Sequence, residues 1–194
     1  MNLFGASGHA KVIIDIIEAA GNSVGVLYDD APYCRGLCGR PVLKAADTTV
    51  TGPMIISIGS NRVRKMISER YPLPYVNAIH PTAIISRTAH IGAGTVVMHG
   101  ATIQSDSSIG RHCIINTGAS VDHECRIGDY VHISPHATLC GNVHVGEGSW
   151  IGAGATVVPG IKIGRWCTIG AGAVVIRDIP DGATAYGNPA KIKQ

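Results

Sequence analysis

Two adjacent side chains, His123 and Glu124, are the residues best placed by type and spacing to move a proton. A carboxylate beside an imidazole can fix the ring's tautomer and favour its protonated form, which suits a general base. They sit in a polar run, Asn116-Thr117-Gly118-Ala119-Ser120-Val121-Asp122-His123-Glu124-Cys125, and His132 follows nine residues after His123. The other histidines of this region, His90, His112 and His144, read as solvent-facing, as do His99 and His136. Cys125 and Cys140 offer a rival nucleophile, but Cys125 faces inward by its position in the pattern described next, and Cys140 has no histidine beside it in sequence.

The elements that must hold this pair repeat every six residues. From Ile79 to Pro180 an aliphatic residue recurs at each sixth place, and a small or β-branched residue follows four places later, through seventeen consecutive hexads. No helix of period 3.6 keeps register with period six. One aliphatic and one small position per six residues predict a hexapeptide β-helix, each hexad being a short strand and a corner. Three hexads close a triangular coil, so residues eighteen apart should stack at about 4.8 Å, and the seventeen hexads give about five to six coils. His123 is third in its hexad, at a corner, and should point outward. Cys113, Cys125 and Cys167 take the small inward position and read as buried thiols.

Residues 1–78 have another texture. A strand ending at Leu3-Phe4 leads through Gly5-Ala6-Ser7-Gly8-His9 into an amphipathic helix, Ala10 to about Ala20, with Val12, Ile13, Ile16 and Ile17 on its buried face. A second strand, Val24 to Tyr28, ends in Asp29-Asp30. A third, Met54 to Ile58, ends in Gly59-Ser60-Asn61 and opens a polar helix, Arg62 to about Arg70. This order predicts a small parallel α/β unit. Ligands of such sheets bind beyond the carboxyl ends of the strands, where these three loops collect. The glycine turn at a helix N-terminus suits a phosphate. It also suits a plain tight turn, and an NAD site lacks the full glycine fingerprint. The expected division is 1–78 and 79–194.

Composition bounds the rest. The chain is 45% apolar and 15% charged, with a formal charge of +3 and twenty-five glycines. No basic block or aromatic interleaving points to nucleic acid. Neither an apolar run of membrane length nor a signal peptide is present, so a cytoplasmic protein without membrane insertion is expected. Cys34 and Cys38 have no second pair to complete a zinc site, and no metal is expected.

The segment from Asn116 to Ser134, N-T-x₅-H-E-C-x-I-G-x₃-H-x-S, resembles the catalytic segment of bacterial hexapeptide-repeat nucleotide-sugar acetyltransferases. The likeness is greatest to those acetylating a UDP-linked 4-amino-4,6-dideoxy sugar on the bacillosamine pathway, with sialic-acid O-acetyltransferases as relatives. Gly5–His9, Tyr28-Asp29-Asp30, Gly59-Ser60-Asn61 and the tail Asp178–Lys191 resemble the same family. The resemblance implies a left-handed coil beside a Rossmann-like domain, acetyl-CoA as cosubstrate, a UDP-amino sugar as acceptor and a homotrimer. Carried over by position, His123 is the general base and Glu124 makes it more basic. Ser7, Gly8, His9, Asp29, Asp30, Gly59 and Asn116 line the sugar-nucleotide site, and His132, Gly141, Ala153 and Ala171 contact acetyl-CoA. The short N-terminus is compatible with a domain cut from a larger membrane-attached enzyme. A γ-type carbonic anhydrase and a structural trimer scaffold share the coil but leave the α/β unit or the His-Glu pair without a purpose.

Overall fold

The computed structural model describes residues 1–193. The hexads fold as their period requires. Strands eighteen residues apart pair in parallel and in register, Ile114 with His132 and Ile115 with Ile133, then His132 with Trp150 and Ile133 with Ile151. They stack into three faces. The first runs from Ala78–Ile79 through Val96–Val97, Ile114–Ile115, His132–Ile133 and Trp150–Ile151 to Thr168–Ile169. The second runs from Ile84–Ile85 to Val174–Val175 and the third from His90–Ile91 to Lys162–Ile163. The aliphatic position fills the core, from Val97 and Ile103 to Val175, while Ile79, Ile85 and Ile91 at the open first coil are only partly covered.

From Gly94 to Gly172 each corner places one residue in the left-handed region, three places after the aliphatic position. Gly94, Gly100 and Gly118 supply it, and so do Asp106, His112, Glu124, Tyr130, His136, Asn142 and Trp166. Non-glycine residues carry a steric cost there. The corner N–H recovers part of it by bonding the preceding coil, as Glu124 N–H does to Ser105 O at 3.0 Å.

The small inward position holds a second regularity. Thr95, Ser107 and Ser149 each lie one coil before a cysteine, Cys113, Cys125 and Cys167. Each hydroxyl donates to a carbonyl (Gly110, Asp122 and Gly164) and accepts the cysteine's backbone N–H. All six cysteines are free thiols, and these three are buried as the hexad phase requires.

In the N-terminal unit β1 (Asn2–Phe4), α1 (Gly8–Ala19), β2 (Leu27–Asp29), β3 (Gly36–Leu37), β4 (Arg40–Lys44), β5 (Met54–Ile56) and α2 (Asn61–Arg70) follow in order. The sheet runs β3-β4-β2-β1-β5, parallel except for the β3-β4 pair. The sequence reading lacked β3, an edge strand of two residues, and β4, which carries Pro41. The buried side of α1 is also broader than expected, adding Ala10 and Ile14, while Val12 is only partly covered. The cause is that α1 has two neighbours. It packs on its own sheet and on Ala78, Val96 and Ile114, the outward residues of the coil's first face. The unit and the outer side of the coil's first face therefore share one apolar cluster, apart from the coil's own interior.

A column of glycines, Gly92, Gly110, Gly128, Gly146 and Gly164, follows the third face. A Cβ on Gly110 would lie 2.6 Å from Asp129 N and Gly128 C of the next coil, whereas one on Gly8 meets nothing within 4 Å. Gly110→Ala should lower stability by about 1–3 kcal/mol through overpacking, and Gly8→Ala should be nearly neutral. Urea denaturation of the two variants checks the contrast.

Candidate functional site

His123 is held at the corner between the second and third faces. Asp122 Oδ1 accepts from the His123 N–H at 2.8 Å, and the His123 carbonyl accepts from Asn142 N–H of the next coil at 2.9 Å. With its backbone fixed on both sides, the ring projects outward, 57% exposed, and Nδ1 lies 3.1 Å from Glu124 Oε2. A carboxylate can only accept, so Nδ1 carries the proton and Nε2 keeps its lone pair. The imidazole lies over Gly141, one coil on, where a Cβ would stand 2.5 Å from Nε2. The Gly141 N–H has no acceptor among the described residues. An imidazole nitrogen with a free lone pair thus lies beside a residue whose backbone N–H has no acceptor among the described residues.

The first face carries the second group. Its outward residues change along one ladder, from Ala78, Val96 and Ile114 under α1 to His132, Trp150 and Thr168 beyond it. Asn116 Nδ2 lies 3.0 Å from His132 Nε2, and since the amide nitrogen can only donate, Nε2 is the acceptor. Trp150 Nε1 donates to Ser134 Oγ at 2.6 Å, and its ring stacks on His132 at 6.2 Å between centroids. A cavity of about 530 Å³ opens here between the loop before α2 and the coil, lined by Gly59, Asn61, His132, Trp150, Trp166 and Thr168 among others. A neighbouring cavity of about 400 Å³ shares His132, Trp150 and Thr168 and continues to Ala153 and Ala171.

Arg64 joins the two parts. It is 1% exposed, yet all five of its N–H groups have acceptors: His112 O, Ile58 O, Gly59 O, Asn61 Oδ1 and Tyr130 O, between 2.7 and 3.1 Å. Asn61 in turn donates to Gly148 O and Ser149 O. Burial lowers the Arg64 pKa to about 10, which leaves it a cation at neutral pH. Reading α2 as merely polar missed it. Its signal is a lone arginine where the helix's inner face should be apolar.

That charge and burial act on three histidines. Desolvation first, and Arg64 second, lower His132 to about 3, His9 to about 4 and His112 to about 4. His112 corrects the expectation of a surface residue. Its corner phase does point outward, but Tyr75 meets its edge and Tyr130 its face, leaving 4% exposed.

The N-terminal loops lie at the strand ends as expected, with unequal freedom. Gly5 takes φ of 109°, and a Cβ there would clash with Ile58 at 2.7 Å. Ser7 precedes α1 without capping it by its side chain, and Gly8 is open. Both Asp29 oxygens accept backbone N–H groups, from Ala6 and Ala31 at 2.9 Å, so Asp29 shapes the glycine turn. Asp30 pairs with Arg70. Among the described residues His9 Nε2 is buried without a partner. The structure therefore groups Gly59 with His132, and His132 with Ala153 and Ala171. It groups His123 with Glu124 and Gly141, at a different corner. Among the described residues no three His, Cys, Asp or Glu side chains are arranged to hold a metal.

Residues 1–71 match the PglD N-terminal domain family, and residues 106–141 and 142–177 match the bacterial transferase hexapeptide (six repeats) family. Perosamine N-acetyltransferase from Caulobacter crescentus, solved as a His-to-Asn mutant with CoA and GDP-perosamine, is 40% identical. The match covers 100% of this chain and 96% of that one, with a TM-score of 0.94. The chain belongs to the PglD-type hexapeptide-repeat acetyltransferases. Within this family, the acetyltransferase domain of PglB from Neisseria gonorrhoeae, solved with acetyl coenzyme A, is 39% identical at a TM-score of 0.93, covering 99% of this chain and 98% of that one. UDP-N-acetylbacillosamine N-acetyltransferase of Bacillus subtilis is 45% identical over 109 residues, a match spanning half of each protein. Ala153 and Ala171 on one groove with His132 are residues that hexad phase alone could have put together, since 153 and 171 are eighteen apart.

Because His9, His112 and His132 bind fewer protons folded than unfolded, acid should destabilise the protein. Stability should be flat above the ordinary histidine pKa of about 6.5 and fall as the pH drops from there towards about 4, as the unfolded chain takes up the protons. Urea midpoints across this range check the sign, and His112→Gln should flatten the slope by about one proton.

Proposed function

We propose that the protein is an acetyl-CoA-dependent N-acetyltransferase acting on the 4-amino group of a UDP-linked amino-dideoxy sugar, with His123 as general base. The observation that carries the reading is the His123–Glu124 pair over the free Gly141 N–H. The names of the relatives support the substrates: CoA with GDP-perosamine in one, acetyl coenzyme A in another and UDP-N-acetylbacillosamine in a third.

In this mechanism the neutral sugar amine attacks the thioester carbonyl and forms the C–N bond directly. His123 Nε2 takes the proton the nitrogen sheds, while Glu124 holds the Nδ1 proton and the ring's orientation. The tetrahedral oxyanion accepts from the Gly141 N–H. Collapse breaks the C–S bond, and CoA leaves as a thiolate that recovers the proton from His123. An acetyl-cysteine route is disfavoured, because burial raises the Cys125 thiol and withholds the thiolate it needs. The glycine turn before α1 would take the phosphates, with Ser7, Gly8 and His9 around them. Asp30 and Gly59 would contact the nucleoside, and Asn116 would orient His132 beside acetyl-CoA.

His123→Ala should lower kcat by on the order of 10²–10⁴ without unfolding the chain. Glu124→Ala should do less, since it removes an orienting group and leaves the base. Mass spectrometry of products from acetyl-CoA with UDP- and GDP-linked amino sugars and sialic acids tests the reading. Transfer to a free sialic acid alone, or undiminished turnover by the His123 variant, would overturn it.

Assembly follows from the separation of the two groups. His123 and Gly141 lie on the corner between second and third faces, and Ala153 and Ala171 on the corner between first and second. A face of the coil stands between them in one chain. Two copies with axes parallel bring one corner against the other, and three copies close that contact into a ring. The protein should therefore be a cyclic trimer by light scattering. A monomer with full activity at the same concentration is the contrary result.

A further inference from the structure

We propose that Trp150 is the binding surface for the acceptor's hexose ring, standing between the acceptor side and the thioester side of the site. The inference deepens the acetyltransferase reading and rests on it. Trp150 is a large apolar side chain left 49% exposed, and it lines both cavities of the site. It is not loose, because the Nε1 bond to Ser134 Oγ at 2.6 Å fixes the indole and occupies its one donor. One ring face stacks on His132, a rung earlier, with the planes 18° apart. The next rung, Thr168, is too short to cover the other face. A rigid indole face with its polar edge committed is open to a ligand that offers C–H groups, since the face of the ring is the negative end of its quadrupole. One face of a pyranose, and the methyl of a deoxy sugar, offer such groups.

The two cavities that share Trp150 decide which ligand lies where. The side towards α2 is mixed, with Ser60, Asn61 and Arg62 beside Trp150 and Trp166, and suits a sugar that offers both hydroxyls and C–H groups. The side towards Pro135, Ala153, Ile169 and Ala171 is apolar and suited to an acyl-carrying pantetheine arm. The sugar therefore lies on the α2 side of the indole and the thioester arm on the other.

The test uses the full-length protein, acetyl-CoA and whichever nucleotide-linked amino sugar the wild type acetylates. Trp150→Ala should raise KM for the sugar nucleotide about tenfold, the size of one aromatic contact with its buried area. KM for acetyl-CoA should stay within about twofold, and light scattering should show the wild-type assembly. Trp150→Phe should restore most of the loss, and Ser134→Ala, which only unpins the ring, should fall between. An unchanged KM for the sugar nucleotide overturns the proposal, and so does a shift carried equally or wholly by acetyl-CoA, or a loss of assembly in both Trp150→Ala and Trp150→Phe. A wild type that acetylates no nucleotide sugar at all removes the acetyltransferase reading itself, a result distinct from any of these.

Discussion

One buried guanidinium holds the architecture of the site together. Arg64 reaches from α2 to two corner carbonyls of successive coils, His112 O and Tyr130 O, and back to the carbonyls of Ile58 and Gly59. Among the described residues no carboxylate neutralises it. Five neutral acceptors solvate the cation instead, and an arginine can present that many donors in one fixed plane where a lysine cannot. Apolar packing of α1 on the coil supplies area but little orientation, because hydrophobic contact is non-directional. The directional bonds of Arg64 and Asn61 fix where the loop at Gly59 stands over the ladder of His132, Trp150 and Thr168.

The same cation sets the electrostatics around it. His9, His112 and His132 are close enough to feel it and buried enough for the effect to persist in salt. They stay neutral, so His132 can accept from Asn116, which an imidazolium could not do. His123 stands apart from this group, exposed at another corner and tied to a carboxylate. The chain thus separates imidazoles that serve as neutral hydrogen-bonding groups from the one with a carboxylate partner and a free lone pair.

Much of this was legible in the sequence, for a physical reason. A coil repeats one local environment, so every hexad reports independently on the same inward and outward directions, and errors in one do not propagate. His123, Glu124 and Gly141 could be placed at a corner on phase alone, and Cys113, Cys125 and Cys167 in the core. Phase states where a side chain points and is silent on what stands opposite. His112 points outward and is buried all the same, because the N-terminal unit and Tyr75 cover it. Arg64, Trp150 and Trp166 escaped for a related reason. Their roles come from the meeting of two units that no local pattern describes. Asp29 was placed at the right strand end, but its two bonds to backbone N–H groups depend on how the glycine turn and β2 lie side by side.

The eighteen-residue register makes the coil a ruler with fixed divisions. Pairing such as Ile115 with Ile133 leaves no intermediate offset, since a slip of one residue would turn every inward side chain out. His132, Trp150 and Thr168 therefore stand whole rungs apart, each about 4.8 Å. A globular site can adapt to a longer or shorter substrate by continuous shifts of its loops. Here the span changes only by gain or loss of a complete coil, so variation in the length of what is bound has to be absorbed by the loops of the N-terminal unit, while the coil keeps its gauge.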